Sequence, residues 1–148
     1  MQFNLRDSTA FLIFRLTSKI TPDATQAFKK AGVSAMQARV LLALCGAELW
    51  TVGNLCRFTA IDQSTMSHSI NTLVRRGLVS KSRLVSDNRT VVVKLTAKGE
   101  KTARQCAEIS TMFERSLARA LDAPRAATLK ELLRALYEGL DERAFVAE

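Results

Sequence analysis

Residues 51–99 read TVGNLCRFTAIDQSTMSHSINTLVRRGLVSKSRLVSDNRTVVVKLTAKG, and this stretch decides the fold. Thr51 caps a short helix on which Val52, Leu55 and Cys56 face inward. Asp62 caps a second helix, about 63–76, and sets its carboxylate near that helix's positive end. Met66, Ile70, Leu73 and Val74 recur there at i, i+4, i+7 and i+8, which predicts a core face. The opposite side shows Ser64, Thr65, Ser67, His68, Asn71 and Arg75, with Gln63 at the start. Gly77 ends the helix as a residue free to take positive φ. Leu78–Leu84 and Thr90–Leu95 read as strands, with Val85 to Arg89 as the hairpin tip between them. Thr96 then caps a long helix. Helix, turn, helix and two strands in that order describe a helix-turn-helix followed by a β-wing.

Outside this stretch the chain is helical. Leu5, Phe11, Leu12, Leu16 and Ile20 predict an amphipathic helix over about 5–20. Thr21-Pro22-Asp23 is expected to break or kink it, because proline removes a donor and restricts the residue before it. Helix resumes to about Lys30 and stops at Gly32. Ser34 and Gln37 have the spacing of a capping box. They open a helix with Met36, Val40, Leu41 and Leu44 on one face. The long helix after Thr96 carries Ala97, Ala103, Ala107 and Met112 and runs to about Leu121. Asp122-Ala123-Pro124 stops and restarts it, and the last helix carries Leu129, Leu132, Leu133, Leu136, Tyr137 and Leu140. No repeat, low-complexity tract or flexible linker is visible. The fold class is mainly α with a small β-wing. Residues 1–32 form an N-terminal helix region, 33–100 a winged helix-turn-helix domain, and 101–148 the C-terminal helices.

The chain has 148 residues, of which 47% are hydrophobic, enough for a core and too many for disorder. Its net charge is +8, and the distribution says more than the total. Between Arg57 and Arg104 stand ten Lys/Arg and three acids, so this window holds seven of the eight net positive charges. A basic excess on the motif points to a polyanionic partner. Cysteines 45, 56 and 106 are widely spaced and His68 is the only histidine, which excludes a zinc site of ordinary spacing. Three thiols without a disulfide framework suit a reducing cytoplasm, and Cys56 is expected to be buried and structural. The N-terminal apolar residues are interrupted by Arg6 and Arg15, unlike a signal peptide, and no run approaches a membrane span. A cytoplasmic protein without cofactor is expected.

A helix about 10–12 Å across fits the major groove of DNA, about 12 Å wide. Serine and threonine hydroxyls on the exposed face of residues 64–75 bond phosphates or base edges. Asn71 is suited to a bidentate pair with adenine, and His68 to guanine. Lys and Glu, the usual surface filler, are absent from 63 to 74. Arg75 and Arg76, at the helix end, are assigned to phosphates. At the wing tip, Arg89 suits a narrow minor groove, and Asp87 is placed to hold that arginine or to cap the turn. Lys81 and Arg83 share one face of their strand by the period of two. With Lys94, they are expected at phosphates, which position a protein without reading sequence.

At these residues the chain resembles the MarR family of winged helix-turn-helix transcription factors. The resemblance rests on Val33-Ser34-x-x-Gln37 before Val40-Leu41, Leu55, and Asp62-Gln63-Ser64-Thr65-Met66-Ser67. It continues through Leu73-x-x-x-Gly77-Leu78-Val79, Asp87-x-Arg89 and Leu95-Thr96-x-x-Gly99. By motif it covers about residues 33–100, and by helix order essentially the whole chain. It implies an obligate homodimer on double-stranded DNA, with intertwined N- and C-terminal helices and two winged lobes on a pseudo-palindromic operator. The terminal helices carry more leucine and phenylalanine than a monomer of this size buries readily. Leu5, Phe11, Phe14, Leu136, Leu140 and Phe145, with Phe3 and Val146, are the expected interface. The resemblance also implies a small anionic, aromatic or phenolic effector that releases DNA. Arg15 is a candidate for its carboxylate and Trp50 for its ring. Two positions depart from the family: His68 stands where arginine is frequent, and so does Lys81.

The function expected is a ligand-responsive, homodimeric DNA-binding regulator, a repressor by the family's habit. The alternatives are a non-inducible architectural DNA-binding protein and a winged-helix module for protein interaction. One histidine, no carboxylate constellation and no phosphate-binding glycine loop argue against an enzyme.

Overall fold

The computed structural model describes residues 4–46, 49–84 and 87–140, and the side chains at 84 and 87–89 lie outside that description. A 3-10 turn at Leu5–Asp7 precedes α1 (Thr9–Lys30) and α2 (Ala35–Ala43). Then come β1 (Trp50–Thr51), α3 (Val52–Thr59), α4 (Gln63–Arg75), β2 (Val79–Leu84) and β3 (Asp87–Leu95), followed by α5 (Ala97–Ala120) and α6 (Ala123–Gly139). These elements fall into two compact units, residues 1–109 and 110–148.

Local capping chemistry sets most helix starts. Ser34 and Gln37 form the reciprocal capping box at α2. The Thr51 hydroxyl accepts from the Asn54 amide at α3, and the Asp122 carboxylate from the Arg125 amide at α6. Helix ends follow the glycines. Gly77, at φ 68°, closes α4 with its amide on the Val74 carbonyl and the Leu78 amide on the Leu73 carbonyl. This paired pattern is a Schellman cap, which needs a residue at ease in the left-handed region.

In the first unit, α2, α3 and α4 surround a core in which Val40, Leu41, Leu55, Met66, Ile70, Leu73 and Leu78 are fully shielded. The antiparallel sheet lies in the order β1-β3-β2. Val79 pairs with Leu95, Lys81 with Val93 and Arg83 with Val91, so these residues share one face of the sheet, on which Val79 and Val93 are buried and Lys81 and Arg83 are exposed.

Several expectations need correction. Helix α1 is not broken at Pro22 but continues to Lys30. The missing proline donor costs the bond to the Ser18 carbonyl, at a position exposed to water. Beyond it, Ala24 and Phe28 pack on the core and hold the helix together, so burial outweighs the local break. A third strand, β1, joins the wing through Trp50 opposite Val93. Strand β3 reaches back to Asp87, after an irregularity between Arg83 and Leu84, so Asp87, Asn88 and Arg89 belong to the strand and not to the tip. Met36 and Val74 are each 38% exposed and lie at the edge of the core. Ser69 takes the inward place on α4 instead. Cys56 is only half-buried, and the fully buried cysteine is Cys106.

The second unit holds the end of α5 and α6, joined by an ion pair between Lys130 and Glu114. Helix α6 buries no residue in the single chain, and Leu132 and Tyr137 are more than 60% exposed.

Gly99, at the start of α5, lies against the chain turning into β2. A Cβ placed there would sit 1.8 Å from the Leu78 carbonyl oxygen and 2.9 Å from its carbon. Backbone cannot yield as a flexible side chain does. Gly99→Ala is therefore expected to destabilise the protein by about 3 kcal/mol or more. Gly53→Ala, with open space around the new methyl group, should be neutral or stabilising by up to about 1 kcal/mol. Urea unfolding of the two variants checks the contrast, and equal midpoints would refute it.

Candidate nucleic-acid interface

Helix α4 is held by a turn with one strained residue. Ala60 closes α3 at φ 52°, a left-handed conformation that costs an alanine about 1–2 kcal/mol. The Ile61 amide returns to the Cys56 carbonyl, and Ile61 is buried. Asp62 then starts α4. Its carboxylate accepts from the Ser64 hydroxyl at 2.7 Å and the Thr65 amide at 2.9 Å. Hydrogen bonds from Ser64 first, then from Thr65, hold the carboxyl well below its ordinary range. Asp62 is exposed, so it presents a fixed negative charge beside the helix start.

The two sides of α4 separate sharply. Met66, Ser69, Ile70 and Leu73 are buried. Gln63, Ser64, His68, Asn71 and Arg75 are exposed, and Thr65 and Ser67 are half-buried. The polar residues expected from sequence thus lie on the side of α4 away from the core, though not all of them are free. The Ser64 hydroxyl is used at the cap, and Arg75 donates to the Thr72 hydroxyl at 3.1 Å. Lys81, on β2, donates to the Asn71 side-chain oxygen at 2.6 Å. This bond ties the wing to the helix.

Arg83 is exposed on β2, and Lys94 is exposed on β3. The backbone carries Asp87 and Arg89 on β3, but their side chains, and with them the expected pairing of the two, lie outside the described residues. Arg76, expected at phosphates, is engaged within the chain. Its guanidinium donates to the Gly32 carbonyl at 2.6 Å and to the Gln37 side chain at 3.4 Å. It joins the end of α4 to the turn between α1 and α2. Sequence reasoning missed two further braces: Arg39, which donates to the Thr59 carbonyl, and Lys98, which donates to the Arg76 carbonyl. Both join residues twenty or more positions apart, beyond the reach of local pattern.

The two effector candidates lie in different surroundings. Arg15 is exposed on α1 with its guanidinium 5.9 Å from the centre of the Phe11 ring. Trp50 is buried in the core, its ring 4.9 Å from that of Phe58. A cavity of about 490 Å³ is lined by Lys94, Glu100 and Arg104 together with Leu44, Leu49 and Val93. Cys45 stands at its edge, and burial pushes the Cys45 and Cys106 thiols up from their ordinary value. Among the described residues no cluster of His, Cys, Asp or Glu could hold a metal ion. No described helix is long and apolar enough to cross a membrane.

Of the expected interface residues, Leu5, Phe14, Leu136 and Leu140 are exposed in the single chain and Phe11 is half-buried. Phe3, Phe145 and Val146 lie outside the described residues.

Comparison with known proteins agrees with this arrangement. Residues 31–89 match the model of the MarR family. The chain is 29% identical over 103 residues to the multiple antibiotic resistance protein MarR of Escherichia coli, covering 69% of this chain and 72% of that protein. BpsR of Bordetella bronchiseptica superposes with a TM-score of 0.86 at 23% identity, over 95% of this chain and all of that one. That structure concerns the regulation of BpsR's DNA binding by 6-hydroxynicotinic acid. A mutant of E. coli MarR complexed with operator DNA superposes with a TM-score of 0.79 at 26% identity, over 92% of this chain and 98% of that one.

The cap at Asp62 has a measurable consequence. Its carboxyl titrates lower in the folded chain than its ordinary value of 3.8. The stability it adds is therefore present above that value and is lost as pH falls through it toward the folded one. Asp62→Asn keeps a capping acceptor without a titrating group. Thermal melting followed from pH 6 to 2.5 should show a shallower acid decline for the variant. Parallel curves would assign the acid limb to other groups.

Proposed function

We propose that this chain, a MarR-family transcriptional regulator, acts as a homodimer on a pseudo-palindromic DNA operator and leaves it when a small anionic effector binds. MarR-family proteins are regulators and not enzymes. The single observation that carries the DNA reading is the division of α4. One side is closed into the core by Met66, Ile70 and Leu73, and the other offers amide, hydroxyl and imidazole groups beside a basic strand. Such a helix enters a major groove, with Gln63, Ser67, His68 and Asn71 toward the bases. Arg83 and Lys94 meet phosphates, which fix the register. Arg89, with Asp87 on the same strand, is assigned to the adjacent minor groove.

The dimer reading is supported by the apolar residues that a single chain leaves open. Leu12, Phe14 and Leu16 on α1, and Leu132, Leu136 and Tyr137 on α6, are each at least 40% exposed. Solvated apolar surface of this extent marks an association face. Two lobes at a fixed spacing then read two half-sites, and repression follows from occupying the operator. The effector reading is supported by the cavity at Lys94 and Arg104, whose volume suits a small carboxylic acid. Release is a population shift toward a lobe spacing that mismatches the operator. Arg15 and Trp50 are assigned to the same response. The reducing cytoplasm, where such an operator and three free thiols coexist, is the compartment assigned.

Two measurements test these readings. Fluorescence anisotropy on a duplex selected from a random library should show affinity falling steeply with salt, by about 0.9 logarithmic units per contacted phosphate for each decade. Arg83→Ala should lower that slope by about one contact, and Arg89→Ala should weaken binding at least about tenfold at fixed salt. Unchanged affinity for Arg89→Ala refutes the wing assignment. Sedimentation should give twice the chain mass of 16.3 kDa. The double variant Phe14→Glu and Leu136→Glu should give the single mass, and a monomeric wild type would overturn the dimer.

A further inference from the structure

The hydrogen bond between Lys81 and Asn71 changes what the recognition helix can read. Lysine has only donors, so the atom 2.6 Å from its Nζ must be the amide oxygen of Asn71. That oxygen is the sole acceptor on the asparagine side chain. Both residues are exposed, Asn71 on the open side of α4 and Lys81 on β2. With one of that oxygen's two lone pairs taken, the pair presents mainly donors: two N–H groups of the amide and two remaining N–H groups of the ammonium, beside one free lone pair.

Adenine offers an acceptor, N7, beside a donor, the N6 amino group. A free asparagine matches it with its amide and its oxygen. With Lys81 in place, the ammonium sits beside the oxygen that would take the N6 amino group, and its positive charge and N–H groups disfavour that pairing. Guanine offers two acceptors, N7 and O6. It matches an amide and an ammonium side by side. We propose that Asn71 and Lys81 form one composite reading element, joined across helix and wing, that selects guanine in each half-site. Lys81 is then a specificity-determining residue and not a phosphate contact, and the adenine expected from Asn71 alone is disfavoured. This inference rests on the DNA-binding reading above.

In vitro selection from a random duplex library, with wild type, Asn71→Ala, Lys81→Met and the double variant, tests it. Melting curves check that these exposed replacements leave the fold intact. The wild-type consensus should contain a guanine whose preference falls about tenfold in each single variant and no further in the double one. Replacing that guanine by 7-deazaguanine should weaken the wild type and leave Lys81→Met and Asn71→Ala little changed. Loss of preference in Asn71→Ala at an adenine overturns the proposal. So does any Asn71-dependent preference that survives Lys81→Met, or a Lys81→Met variant that loses affinity equally for every sequence. A wild type that enriches no sequence overturns the DNA-binding reading itself, which separates that failure from the others.

Discussion

The close approach of the α5 start to the turn after α4 is the constraint on which the winged lobe depends. The Thr96 amide donates to the Leu78 carbonyl at 3.1 Å, and its hydroxyl reaches the Gly77 and Leu78 carbonyls at 2.7 and 3.2 Å. The same hydroxyl oxygen accepts from the Gly99 amide at 3.0 Å, capping α5. Gly99 lies against the Leu78 carbonyl with no room for a methyl group. Lys98 adds a bond to the Arg76 carbonyl. One threonine and one glycine thus satisfy the carbonyls at the end of α4, start α5, and bring both ends of the wing together. Helix α4, the wing and α5 share one junction, so none can shift without breaking hydrogen bonds to the backbone.

That rigidity has an electrostatic complement. Asp62 holds a negative charge at the start of α4 while Lys81, Arg83 and Lys94 set positive charge along the wing strands. A phosphate backbone approaching the wing meets attraction, and the carboxylate at the helix start is already bonded to Ser64 and Thr65. Arg76 and Arg39 are basic residues of the same region, yet both are tied to backbone carbonyls. A raw count of basic side chains therefore overstates the number free for a polyanion.

Local features of this fold were legible in the residues, and distant ones were not. The caps that Ser34, Thr51, Asp62, Thr96 and Asp122 make each span three or four positions, so they could be read from spacing alone. The core of α4 followed from its period, except at Val74, where the helix turns its flank to solvent. Pro22 misled because its local cost is outweighed by Phe28 and Ala24, whose burial depends on residues far along the chain. Strand β1 has two residues, too few for any alternation, and exists because Val92 and Val93 pair with it. On the candidate site, the polar face was visible as a list of residues. Which of them are occupied was not, because the partners of Asn71 and Arg76 lie ten to forty-four positions away.

The apolar residues divide along the same line. The first unit closes its core with residues from Phe28 to Cys106, and every large side chain there has neighbours in the same chain. The leucines of α6 recur with the same helical spacing, yet none is buried. Periodicity alone cannot distinguish a face turned to one's own core from a face turned to a partner. Composition can, because a helix outside a closed core gains nothing by exposing leucine to water, at roughly 25 cal/mol for each Å² left uncovered. The exposed α6 leucines are the apolar surface that the proposed dimer covers. The capped, polar α4 makes no such demand, since its outward groups are already solvated. On the proposed reading the two surfaces take different partners: an apolar one for α6, a hydrogen-bonding and charged one for α4.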